Sequence, residues 1–172
     1  PGRDHREVSY HPQAFAETWR FLTGHAPART HIAPESPIVL DGRITGFHGN
    51  DQSNLPLPGA KLEVYETSCQ TGERPGAAAL AKTVGGDGRW GPLTAKTGAC
   101  YEFVLEAGGF ATTHLYRSPF PRSTSILHMR PARLAETDRK AGSVVTHTRP
   151  RGYFGLGRDK MSLDGKPHPG VP

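Results

Sequence analysis

Cys100-Tyr101-Glu102-Phe103-Val104-Leu105-Glu106-Ala107-Gly108-Gly109-Phe110 is the stretch on which the fold turns. Tyr101, Phe103 and Leu105 stand two residues apart with Glu102, Val104 and Glu106 between them, the period of a strand with one buried face and one mostly wet face. Gly108-Gly109 then supplies a tight turn, and Phe110 behind it is expected to plug the core of a hairpin. The same alternation recurs upstream at Leu62 and Val64, introduced by the turn residues Pro58-Gly59.

Working outward, short β segments are expected over 38–47, 60–66, 78–84, 101–107, 111–117 and 125–130, separated by glycine- and proline-bearing turns. Gly and Pro, 21 and 16 of 172 residues, favour many turns over long helices, and the spacing points to a mainly β chain. The expected fold is an antiparallel β-sandwich of about seven strands. Gly85-Gly86-Asp87-Gly88 reads as a turn; neither a lysine-threonine pair nor a helix follows it, so it is no phosphate cradle.

One helix is expected over residues 8–24, where Phe15, Trp19 and Leu22 recur at i, i+4 and i+7, Pro12 suits a first turn and Gly24 a stop. The segment to Pro37, with Pro27 and Pro34, reads as a linker, and residues 132–172 as a charged connector and the opening of another β unit. The chain starts at Pro1 and stops at Gly170-Val171-Pro172, and it is expected to be a piece of a longer protein.

The formal charge of +5 comes from cations scattered singly, without the interleaved aromatics of a nucleic-acid site, so no nucleic-acid partner is expected. No apolar run approaches the roughly 18 residues that span a bilayer. The 9 histidines include no metal-binding spacing, and no cofactor is implied. Cys69 and Cys100 suit either one disulfide in an oxidising compartment or two unrelated thiols; a bridge would stabilise by about 2–4 kcal/mol.

Gly2-Arg3-Asp4-His5-Arg6-Glu7-Val8-Ser9 and the helix behind it resemble the end of an α/β-hydrolase domain of the lipase and esterase type. The resemblance implies that His5 is the triad histidine in the loop before the last helix, with the serine and the acid upstream of Pro1. Imidazole suits the role because its near-neutral pKa lets it take the serine proton and return it to the leaving alcohol. A surface histidine in a frayed terminus is the plainer reading of His5, and His11, His25 and His31 are the other candidates.

Residues 38–131 resemble carboxypeptidase regulatory-like, prealbumin-type sandwiches through Gly42-Arg43-Ile44-Thr45-Gly46, the stretch 57–65, Asp87-Gly88-Arg89-Trp90 and the stretch 100–110. Together the two resemblances imply a hydrolase tail over 1–24, a linker over 25–37, the sandwich over 38–131 and a connector over 132–172. The implied function is the carboxyl-terminal piece of a secreted carboxylic-ester hydrolase that meets ester or lipid through its catalytic domain; oligomeric state is open. The isolated chain is expected to be inactive, because nucleophile and acid are missing.

The alternative is a stand-alone secreted binding module, in which Trp90, Tyr116 and Phe120 would be contacts unless they pack in the core. Residues 57–65 also resemble intradiol ring-cleaving dioxygenases, with Tyr65, Tyr101, Tyr116 and Tyr153 as candidate phenolates. The close histidine pair of such a site is lacking, since His114, His128 and His147 each stand alone. Arg149-Pro150-Arg151-Gly152-Tyr153-Phe154-Gly155, with Asp159 and Asp164 beyond it, reads as a glycine-turned hairpin.

Overall fold

Proline placement decides where the longer helix begins. In the computed structural model, which describes residues 7–144, 162–163 and 165–167, the expected single helix is two: α1 (Glu7–Tyr10) and α2 (Pro12–Thr23). Pro12 lacks an N–H and disfavours helical geometry in the residue before it. His11 is accordingly extended (φ −74°, ψ 131°), and its Nδ1 accepts the Gln13 amide at 3.1 Å as an N-cap. Gly24, at φ 80°, closes the helix by donating its amide to the Arg20 carbonyl. Phe15 and Trp19 lie tilted against each other along the expected stripe with ring centroids 5.9 Å apart, yet no α2 residue is buried. Two short strands, β9 (Ser162–Leu163) and β10 (Lys166–Pro167), pair antiparallel in the same compact unit as these helices.

The second unit, residues 32–144, is mainly β. Its strands are β1 (Ile38–Leu40), β2 (Thr45–His48), β3 (Asp51–Pro56), β4 (Lys61–Thr67), β5 (Leu80–Thr83), β6 (Leu93–Ala95), β7 (Cys100–Glu106) and β8 (Thr113–Arg117). One antiparallel sheet has the order β5-β4-β7-β8; the pairs β1-β6 and β2-β3 make up the remainder of the sandwich. The core lies on the inner faces: Leu62 and Val64 of β4 and Tyr101, Phe103 and Leu105 of β7 meet Ile38, Leu40, Ile44, Trp90 and Met129. Trp90 is fully buried, packs edge-on to Phe103 at 5.7 Å and donates Nε1–H to the Leu127 carbonyl at 3.1 Å. Among the described residues no helix is long and apolar enough to cross a membrane.

Several expectations change here, each for a local reason. The segment 38–47 breaks at Asp41, whose Oδ1 takes the Gly42 amide at 2.7 Å, so β1 and β2 are separate. Residues 125–130 form no strand; they run parallel to that break, bridged through Leu40–Thr124 and Ile44–Met129. β6 is too short for alternation to show, and β3 is polar in sequence. Arg130 supports β3 by donating to the Gly46 carbonyl, Gln52 Oε1 and the Ser53 carbonyl, which bind the β2-β3 hairpin together. The sandwich unit therefore has eight strands where about seven were expected.

Phe110 is not a core plug. The turn at Gly108-Gly109 carries it away from the core to stack on Phe47 at 5.5 Å, beneath the Arg133 guanidinium. Nor is the second face of β7 wet, since Glu102 and Val104 are both buried.

Candidate functional site

A carboxylate that is 2% exposed in the middle of a strand must be matched by its neighbours, and Glu102 is. The register places Tyr65 of β4 on one side of it and Tyr116 of β8 on the other, with His114 two residues before Tyr116 on the same face. Arg74 arrives from the loop between β4 and β5 and donates Nε–H to Glu102 Oε2 at 2.6 Å; His114 Nδ1 lies 2.7 Å from Oε1. The Arg74 guanidinium also covers the Tyr65 ring at 3.8 Å, while Tyr65 donates its hydroxyl to Glu63 at 2.6 Å.

The electrostatics follow from these contacts. Arg74 first, then the His114 and Tyr116 hydrogen bonds, hold the Glu102 carboxyl down to about 2 against the opposing effect of burial. The same contact raises Arg74, and hydrogen bonding to a carboxylate raises Tyr116 and Tyr65. Glu102 is therefore ionised and fixed, a positioning group rather than a proton carrier near neutral pH.

The loop that brings Arg74 is itself anchored. Cys69 is bonded to Cys100, with Cα atoms 5.3 Å apart, next to the Thr67–Cys100 register pair. Within it Gly72, at φ 75°, donates to the Ser68 carbonyl and lies under the Tyr116 ring, which a Cβ at that position would meet at 3.5 Å. The loop and the sheet together enclose an open cleft of about 910 Å³, walled by Glu66, Glu73, Arg74, Glu102, His114 and Tyr116. A second cleft of about 410 Å³ adjoins it on the Cys69–Cys100 side and shares Gly72 and Tyr116.

His5 lies outside the described residues, as do His147, Tyr153 and the stretch 149–155. Of the residues weighed as contacts, Trp90 is core and Phe120 packs against it, whereas Tyr116 is 58% exposed and stands between the two clefts. The three candidate phenolates among the described residues do not converge. Tyr101 is on the inner face, where its hydroxyl accepts the Lys96 amide at 2.8 Å, and Tyr65 and Tyr116 are on the outer one. Among the described residues no group of three or more His, Cys, Asp or Glu could hold a metal ion.

Sequence reasoning passed over Glu102 and Arg74. The signal that could have found them is the cysteine pair: bridging Cys69 to Cys100 aligns β4 with β7 and sets Tyr65 opposite Glu102.

No curated protein is significantly similar to the chain. The model of one family, the lipase C-terminal domain, matches residues 36–134, more than half of the chain and nearly the whole described sandwich. With the eight strands and their core inside or overlapping that span, the chain belongs to the lipase C-terminal domain family.

Proposed function

We propose that this chain is the carboxyl-terminal part of a secreted carboxylic-ester hydrolase of the lipase and esterase type. In this reading residues 1–24 end the catalytic domain, 25–37 link it to the sandwich, and the sandwich serves as an accessory module that holds substrate or partner. The observation that carries the reading is the lipase C-terminal domain match over 36–134, which follows the 2–9 stretch and α2 in the sequence. The Cys69–Cys100 bond supports an oxidising compartment. The carboxypeptidase regulatory-like resemblance of the sandwich speaks for fold and not for a ligand.

The chemistry would run by acyl transfer. An upstream serine attacks the ester carbonyl, His5 takes its proton and returns it to the departing alcohol, an upstream carboxylate orients His5, and backbone amides hold the oxyanion. The test is hydrolysis of p-nitrophenyl esters and emulsified triacylglycerol by the whole gene product, its His5→Ala variant and the 172-residue chain. The whole protein should turn over; the variant should lose about 10⁴-fold or more in kcat, and the chain alone should stay at background. Undiminished turnover by the His5→Ala variant would overturn the assignment.

A second reading, a secreted binding module without catalysis, draws on the preorganised outer-face cleft around Glu102. It would gain if the whole gene product proved inert towards esters.

A further inference from the structure

The outer-face cleft has a polar wall that is already rigid. Glu102 fixes Arg74 through Nε and His114 through Nδ1, which leaves the Arg74 Nη groups and His114 Nε2 without a hydrogen-bond partner among the described residues. Glu73 Oε1 is likewise unengaged, since Thr71 donates to Oε2. Donors and acceptors thus stand side by side on a fixed surface, the arrangement that hydroxyl groups, each both donor and acceptor, can satisfy.

Charge and polarity narrow the ligand. Arg74 is balanced by Glu102 and Glu66 by Lys96, and Glu73 of the first cleft is offset by Arg117 of the second, so the two clefts together carry no excess charge and suit a neutral ligand. An acyl chain would bury Glu73 and the unused donors of Arg74 with no polar group to meet them. The Tyr116 ring, 58% exposed, offers an apolar face at the ridge where the two clefts meet, and each cleft is of small-ligand size.

We propose that these adjoining clefts bind a neutral carbohydrate chain, with Tyr116 as the stacking face for a sugar ring and Arg74, Glu73 and His114 as partners for its hydroxyls. Glu102 is a positioning residue: it touches no ligand and holds Arg74 and His114 in place. The site needs nothing upstream of the sandwich, so it stands whether or not the parent hydrolyses esters.

The test is native affinity electrophoresis of the 172-residue chain through gels containing hydroxyethylcellulose, galactomannan, neutral arabinoxylan or dextran, with a polymer-free gel and a dextran sulfate gel as references. At least one neutral polymer should retard the protein. Tyr116→Ala should weaken that binding by about tenfold or more, and Tyr116→Phe, which keeps the ring, by less than about threefold. Both variants should melt as folded proteins, because the ring is on the surface. No retardation in any neutral polymer, retardation by dextran sulfate alone, or retardation that Tyr116→Ala leaves intact would each overturn the proposal.

Discussion

Replacing both Cys69 and Cys100 by serine opens a covalent loop of sequence separation 31. In the chain-entropy picture a cross-link of that length removes about 12 cal/mol/K from the unfolded ensemble, so its loss should cost about 3–4 kcal/mol at 25 °C. For a cooperative unit the size of residues 32–144, unfolding entropy near 60 °C converts this into a fall in Tm of roughly 15 °C. The assay is urea unfolding followed by tryptophan fluorescence, for which the fully buried Trp90 provides a reporter inside the sandwich. The m-value should rise as well, because an uncross-linked denatured chain exposes more surface. A loss below about 1 kcal/mol with an unchanged m-value would refute the reasoning, and would mean that the loop's own hydrogen bonds and the Arg74–Glu102 pair already hold it without the bridge.

Glu102 should make stability fall in acid. Its carboxyl is depressed to about 2 from an ordinary 4.5, so the contribution, about 3 kcal/mol, is present above pH 4.5 and lost as pH drops towards 2. Glu102→Gln should flatten that part of the stability-pH curve measured by denaturant midpoints, and an unchanged acid limb would count against the assignment. Arg74→Ala leaves the buried carboxylate without its main partner and should cost about 3 kcal/mol or more near pH 7, read from the same unfolding curves. Gly42→Ala should destabilise by about 3 kcal/mol or more, since the added Cβ would sit 2.0 Å from the Leu127 carbonyl oxygen and 2.9 Å from Trp90 Nε1. A thermal midpoint within 2 °C of the parent, roughly the assay's resolution for a small ΔΔG, would show that the segment around Leu127 yields freely.

How far the sequence could be read depended on how local each cause was. The inner faces of β4 and β7 were legible because Leu62, Val64, Tyr101, Phe103 and Leu105 repeat at period 2. Gly24 and Pro12 marked the ends of α2 through their own backbone chemistry. What escaped was set by long-range partners. The polar strand β3 depends on Arg130, 77 residues beyond Ser53, and the break after β1 is matched by a segment more than 80 residues downstream. Glu102 looked wet for the same reason: nothing near it announces an arginine 28 residues upstream and a histidine 12 downstream that together allow a carboxylate to be buried.

β7 joins these two kinds of information in one strand. Its inner residues hold the core, and its outer Glu102 organises the cleft, so substitutions on the two faces should separate experimentally. Loss of Phe103 should act on the sandwich as a whole, because its ring touches Trp90 and Phe120 and leaves a cavity if truncated. Substitutions at Tyr116, on the neighbouring strand, should leave the core alone and act on the cleft. The Ser68–Glu73 turn then has a definite part: it is tied to β7 by a disulfide at Cys69 and is followed at once by Arg74, tied to the same strand by an ion pair. Two anchors five residues apart in sequence hold one wall of the cleft against the strand that forms its floor, which is why a loop of polar residues can present a fixed surface.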